Sequence, residues 1–252
     1  MNEPLLRVEG LYKAFGKVVT ANGLSFQLNA GEFTAIIGPN GAGKSTLINV
    51  LSGSLAADSG RIFFEGQDIT GLPIHKRVQR GLCRSFQVVN VFPHLTVFEN
   101  VEIPTLAVAR RAHHFFRPVG RESQVADLVR AALERVGLGA RAQTPASALS
   151  HGDQRLLEVG IALAARPKLL FLDEPTAGMN PVERVSILEN IRRLAVKGET
   201  SFVIVEHDMD VVFSLADRVM VLHRGDLICD GHPDHVKGDA QVRECYLGEE
   251  VL

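Results

Sequence analysis

Apolar residues along this chain follow two periods. Short apolar runs at residues 32–37, 169–172, 201–205 and 219–223, each bounded by polar or glycine positions, predict buried strands. The run at 32–37 has the character of a central, parallel strand. Residues 5–9, 24–28 and 61–64 give shorter, polar-flanked strands between Gly, Asn and Asp turn signals, a pattern suited to antiparallel pairing. Beyond residue 87 the period becomes helical. Helices are predicted at 96–111 and 121–136. In the second, Val125, Leu128, Val129, Ala132, Leu133 and Val136 make one apolar face, and Gly137 is placed to end it. A third helix is expected from Ser150 to about Ala165, where Pro167 stops it. Helices at 182–195 and 209–216 then alternate with the later strands, a strand at 227–229 follows, and short helices close the chain. This order predicts a parallel sheet in an α/β core, interrupted by a mainly helical lobe at roughly 88–160.

Composition narrows the picture in a few places. The 252 residues suit one α/β domain carrying an inserted lobe, and 46% hydrophobic content supplies its core. A formal net charge of −2 argues against general nucleic-acid binding. The three cysteines, Cys83, Cys229 and Cys245, lie far apart without a C-x-x-C pair, a usage that fits reduced thiols and gives no zinc signature. The opening Met1-Asn2-Glu3-Pro4 lacks the order of a signal peptide, and no run approaches the ~20 apolar residues that span a bilayer. A soluble, cytosolic chain is expected, with any membrane role delegated to a partner.

The densest chemistry lies in Gly38-Pro39-Asn40-Gly41-Ala42-Gly43-Lys44-Ser45-Thr46. The spacing G-x-x-x-x-G-K-S fits a loop whose backbone N–H groups turn inward onto phosphate oxygens. Lys44 would reach the β- and γ-phosphates, and the Ser45 hydroxyl would help hold Mg²⁺. A buried strand enters this loop and a helix leaves it, so the helix N-terminus adds its dipole to the anion site.

A second station is the strand 169–172 ending in Asp173 and Glu174, at the sheet edge where ligands of open α/β sheets collect. Asp173 is placed to act on Mg²⁺ through its water shell, and Glu174 to take a proton from an attacking water. Paired acids at a strand end are also found as plain solvated termini, and only the phosphate loop makes the chemical reading the sharper one. The strand 201–205 delivers His207 to the same edge, where a histidine is either structural or a sensor of the γ-phosphate. In Leu149-Ser150-His151-Gly152-Asp153-Gln154, Ser150 and Asp153 form a capping-box-like helix start. The alternative is an anion site for a second nucleotide at this helix terminus.

Together these residues resemble the ATP-binding subunits of ABC transporters: the Walker A loop at 38–46, Gln87, an L-S-x-G-x-Q signature at 149–154, Walker B at 169–173, Glu174, a D-loop-like Ala177-Gly178-Met179-Asn180, and His207. The resemblance spans nearly the whole chain and implies a single P-loop NTPase domain, a RecA-like core with an N-terminal antiparallel β subdomain and an inserted α-helical subdomain. It implies ATP and Mg²⁺ as ligands, with Ser45, Gln87 and Asp173 at the metal and Glu174, His207 and Gln87 in catalysis. It also implies a head-to-tail dimer in which each ATP lies between one subunit's Walker A and the other's signature. Phe15 falls where the family places an aromatic that stacks on adenine; packing is its alternative role. His151 departs from the usual L-S-G-G-x-Q, and its imidazole is expected to point away from the nucleotide.

A narrower resemblance, to the Liv-type subunits that energise branched-chain amino acid uptake in prokaryotes, rests on Leu5-Leu6-Arg7-Val8-Glu9-Gly10-Leu11, Arg84-Ser85-Phe86-Gln87, the stretch 100–121, Glu206-His207-Asp208-Met209 and Tyr246-Leu247-Gly248-Glu249. Related systems carry urea, amides or aromatic acids. The resemblance implies two transmembrane permease subunits, a second ATPase subunit (a paralogue, or another copy of this chain), a substrate-binding protein acting indirectly, no nucleic acid, and a peripheral place on the cytoplasmic face of the inner membrane. A coupling helix of the permease would dock near residues 88–99. Soluble ABC ATPases of DNA repair or translation usually carry long coiled-coil insertions, zinc modules or doubled motifs, none of which this sequence has. The basic and aromatic stretch 110–117 reads as a surface excursion of the lobe, and His232-Pro233-Asp234-His235 as a turn opening a helix rather than a metal site.

Overall fold

The computed structural model describes residues 3–85, 91–112, 121–196, 200–206 and 209–247. Two sheets organise it. The first is antiparallel and has the order β2-β1-β4-β5, formed by β1 (Leu6–Phe15), β2 (Val18–Leu28), β4 (Ser59–Phe64) and β5 (Gln67–Asp68). The second has the order β10-β9-β3-β8-β7-β6, built from β3 (Phe33–Ile37), β6 (Leu82–Arg84), β7 (Leu169–Asp173), β8 (Ser201–Val205), β9 (Arg218–His223) and β10 (Asp226–Gly231). Its strands run parallel except β10, which pairs antiparallel with β9. As its composition predicts, β3 is central and flanked on both sides by parallel strands.

The first hairpin is longer than the apolar pattern predicts. Gly10 and the Asn22-Gly23 pair read as turn signals in the sequence. Here they sit at register shifts inside β1 and β2, with Gly10 and Gly23 at positive φ. An extra residue at each bulge breaks the alternation that marks a strand without ending the pairing.

Side chains of the central sheet alternate between two cores, as the period of a strand requires. Phe33, Ala35, Ile37, Leu170, Leu172, Phe202, Ile204, Val219 and Val221 point to one face. Ile36, Leu169, Phe171, Val203, Val205, Met220 and Leu222 point to the other. On that second face lie α1 (Lys44–Ser52) and the inner side of the antiparallel sheet, beside which runs the short α2 (Ile74–Gln79). The first face carries α3 (Val97–Ala112), α4 (Arg121–Arg135), α5 (His151–Ala164), α6 (Pro181–Val196) and α7 (Met209–Leu215). Each large apolar side chain buried this way contributes about 1.5–3 kcal/mol.

The predicted apolar face of α4 is realised: Val125, Val129, Ala132, Leu133 and Val136 are buried against the first core, with Leu128 half-buried at its margin. Gly137, at positive φ, follows the helix. The chain closes with α8 (Pro233–Gly238) and α9 (Ala240–Leu247) against β10. No helix among the described residues is long and apolar enough to cross a membrane.

Candidate nucleotide site

β3 delivers the chain to a loop whose glycines are required by close approach. A Cβ on Gly38 would stand 2.1 Å from the Leu222 carbonyl oxygen, and one on Gly43 would stand 2.1 Å from the Thr20 carbonyl oxygen. The loop therefore lies directly on the backbone of β9 and β2. Ala42 donates its N–H to Pro39 O (3.1 Å), Gly225 donates to Ala42 O (3.0 Å), and Asn22 donates to Gly225 O (2.9 Å), which ties the loop to the β9–β10 turn. Gly43 is the N-cap of α1, with φ 105° and no side-chain cap. The helix thus presents its first N–H groups and its positive dipole end beside Asn40, Gly41 and Ser45, all exposed.

Lys44 is 6% exposed, and its Nζ donates to the loop's own Gly38 O (2.5 Å) and Pro39 O (3.0 Å). Burial lowers its pKa, while the Glu174 and Asp173 carboxylates pull it the other way. The lysine and both acids therefore share one electrostatic site. At the far end of α1, the buried Arg77 donates to Leu51 O (2.7 Å) and to Val50 O (2.9 Å), the latter also accepting from the C-cap Gly53 N–H. Desolvation brings that guanidinium down to about 10.

The acids come from β7, which is separated from β3 by β8 alone. Two strand spacings, about 10 Å, therefore divide the root of the glycine loop from Asp173. Asp173 is 2% exposed, and its Oδ2 accepts from Arg84 Nη2 at 2.8 Å. The other terminal nitrogen of Arg84 donates to Asn49 Oδ1 on α1. Asp173 Oδ1 is buried and has no hydrogen-bond partner among the described residues. A buried carboxylate oxygen left over, with the exposed Ser45 hydroxyl on the neighbouring loop, is an oxygen donor set that fits a hard cation such as Mg²⁺.

Glu174 follows in the left-handed region at φ 48°, a conformation costing of order 1 kcal/mol or more for a residue with a side chain. Its N–H bonds Val205 O (2.9 Å) at the end of β8. The next turn is held by Glu206, 4% exposed, whose Oε1 accepts from the Thr176 N–H (3.0 Å) and hydroxyl (2.7 Å). Neighbouring strand ends therefore over-determine the backbone that carries Glu174.

Ser150 is the N-cap of α5, as the sequence predicts. Its Oγ accepts from the Asp153 N–H (3.2 Å) and donates to Asp153 Oδ2 (2.7 Å), which Arg141 also contacts. Gln154 Nε2 reaches back to Ala146 O at 3.3 Å. His151 is exposed, and a Cβ on Gly178 would lie 3.9 Å from its Cε1, so the imidazole borders the 177–180 segment. That segment ends at Asn180, whose Oδ1 caps α6 by accepting from the Glu183 N–H (3.0 Å). Among the described residues, no hydrogen bond or ion pair joins residues 149–154 to the loop 38–46. Phe15, at the end of β1, is 51% exposed, and Lys13 Nζ stands over its ring, 5.4 Å from the centroid. Gln87 and His207 lie outside the described residues.

Four supports of the site escape sequence reasoning: Arg84, Asn49, Arg77 and Glu206. Arg84 and Glu206 stand next to motif residues and end buried strands, which is the signal they offer. Asn49 and Arg77 offer none.

A parallel sheet with a glycine loop opening a helix, and two acids ending the next strand but one, defines a P-loop nucleotidase. Residues 21–177 match the ABC transporter family, and the chain belongs to it. It is 37% identical over 254 residues to the high-affinity branched-chain amino acid transport ATP-binding protein LivG of Escherichia coli (strain K12), covering 99% of this chain and all of the relative. BraF of Pseudomonas aeruginosa, named for the same transport, is 36% identical over 99% of this chain and all of its own length. Among solved structures, the ADP conformation of an ATP-binding cassette of an ABC transporter superposes with a TM-score of 0.86 at 34% identity. That match covers 98% of this chain and 100% of the other.

Proposed function

We propose that this chain is the ATP-binding and ATP-hydrolysing subunit of an importer of branched-chain amino acids, peripheral to the cytoplasmic face of the membrane and coupled to two permease subunits. The reading is carried by one observation: β3 opens into the glycine loop bearing Lys44, and the parallel β7, two strands away, ends in Asp173 and Glu174 at the same edge of the sheet. Full-length similarity to LivG and BraF supports the cargo.

In this mechanism residues 38–46 wrap the triphosphate with main-chain N–H groups at the start of α1. Lys44 exchanges its loop carbonyls for charged phosphate oxygens, a stronger class of hydrogen bond. Phe15 stacks on the adenine. Ser45, Gln87 and Asp173 would hold Mg²⁺, which would supply positive charge to the phosphates. Glu174 takes the proton of the attacking water, a contribution of about 10²–10⁴-fold, and His207 senses the γ-phosphate. Leu149, Ser150, His151, Gly152, Asp153 and Gln154 close over the nucleotide of a second ATPase subunit, and the lobe at about 88–160 transmits the closure to the permeases.

Glu174→Gln, purified from native membranes with ATP bound, tests this reading through mass spectrometry of what accompanies it. Two polytopic membrane proteins and a second ATPase are expected. Recovery of only DNA- or ribosome-associated proteins would overturn the transport role.

A further inference from the structure

The junction between α8, α9 and β10 brings together three side chains that the sequence scatters between positions 229 and 239. The Cys229 Sγ, a ring nitrogen of His235 and a carboxylate oxygen of Asp239 all lie within 4.8 Å of one another. None of them belongs to the nucleotide site.

Each is held there by its surroundings. Cys229 is 7% exposed on β10, with its main chain paired to Val221 of β9. Asp239 is the N-cap of α9: its Oδ1 accepts from the N–H groups of Gln241 (2.9 Å) and Val242 (3.0 Å), which fixes the carboxylate and leaves Oδ2 out of the cap. The His235 N–H bonds His232 O at 3.0 Å, seating the residue on the first turn of α8. Its ring lies over Gly231, where a Cβ would stand 3.1 Å from His235 Cδ2. Glycine at that position makes room for the imidazole.

A thiol, an imidazole and a carboxylate form a donor set for borderline-soft cations and a poor one for Mg²⁺, which takes oxygen. Tetrahedral ligands at zinc-like bond lengths stand roughly 3.5 Å apart, so about 1 Å of movement closes the cluster. Rotation of the exposed His235 side chain, whose main chain alone is pinned, can supply it.

We propose that Cys229, His235 and Asp239 bind a thiophilic divalent transition-metal ion of the zinc class, with solvent in the fourth position. The Sγ–metal bond forms as the thiol proton leaves to solvent, and the Asp239 carboxylate, oriented by its capping bonds, completes the protein ligands. Bound metal would staple the α8–α9 junction onto β10, at the end of the chain away from ATP hydrolysis.

The test titrates Co²⁺ into the nucleotide-free full chain with Mg²⁺ in excess. A stoichiometric thiolate-to-cobalt charge-transfer band with tetrahedral visible absorption is expected. Cys229→Ala should abolish the band. His235→Ala, at an exposed position, and Asp239→Asn, which keeps a capping oxygen, should each weaken binding at least ~tenfold, or 1.4 kcal/mol. Zn²⁺ should raise the melting temperature of the wild type and not of Cys229→Ala. Absence of the band overturns the proposal. So does a band that survives Cys229→Ala and disappears in Cys245→Ala, which would assign it to the Cys245–His223 contact (3.1 Å).

Discussion

Arg84 shows how one side chain can support a site without touching the reaction. Its fork binds Asp173 at the end of β7 and Asn49 on α1, so the strand preceding Gln87, the acid strand and the phosphate-loop helix share one guanidinium. Both partners of the ion pair are almost fully buried. Removing one leaves the other charge uncompensated in the interior, which typically costs 3–5 kcal/mol. Arg84→Ala is therefore expected to destabilise the protein by about 3–5 kcal/mol in urea unfolding. Arg84→Lys, which keeps the charge but not the planar fork, should fall between alanine and wild type. A loss below about 1 kcal/mol for alanine would remove Arg84 from this supporting role. In the sequence Arg84 is only the first letter of the phrase ending at Gln87; its partners lie 35 and 89 positions away. No local pattern encodes contacts at that separation.

For α1 the deciding feature is its N-terminus. Gly43 and Gly41 both have positive φ, yet a Cβ on Gly43 meets backbone at 2.1 Å while one on Gly41 meets nothing within 4 Å. Gly41→Ala should therefore cost only conformational strain, about 1–2 kcal/mol. Gly43→Ala must also push α1 away from β2, and should be the more destabilising of the two and the one that abolishes nucleotide binding. Urea unfolding with a fluorescent ATP analogue checks the order, and a reversed order would refute the close approach. The sequence marks this element clearly because the glycine spacing reports a backbone requirement directly. Bulged strands are less legible: Gly10 and Gly23 have the same residue type and positive φ, but there they interrupt a hairpin instead of ending it. The Cys229, His235 and Asp239 cluster is less legible still. Its ligands come from a strand, a helix and a helix cap, and only the fold-back of α8 brings them together.

At the scale of the molecule, the proposed signature at 149–154 stands apart from the phosphate loop. Residues 149–154 cap α5 and border the 177–180 segment, yet no bond among the described residues links them to the loop of their own chain. If they serve a second subunit's ATP, a substitution neutral for the monomer should abolish pairing. Gly152 allows that separation. Its Cβ would meet only the Ile187 Cδ1 methyl, at an ordinary 3.7 Å. An acid in the first turn of α5 would also be favoured by the helix dipole, by about 0.3–1 kcal/mol. Gly152→Asp is thus expected to fold with wild-type or slightly higher stability. In the head-to-tail arrangement, however, its carboxylate would face the phosphates of the partner's nucleotide, and like charges at close range oppose closure. Placed on the Glu174→Gln background with ATP and Mg²⁺, it should reduce the dimer seen by sedimentation at least ~tenfold, 1.4 kcal/mol, while leaving ATP binding by the monomer intact. Dimerisation undiminished by the added charge would mean that α5 does not reach the opposing nucleotide. The pairing surface would then have to be sought elsewhere on the molecule.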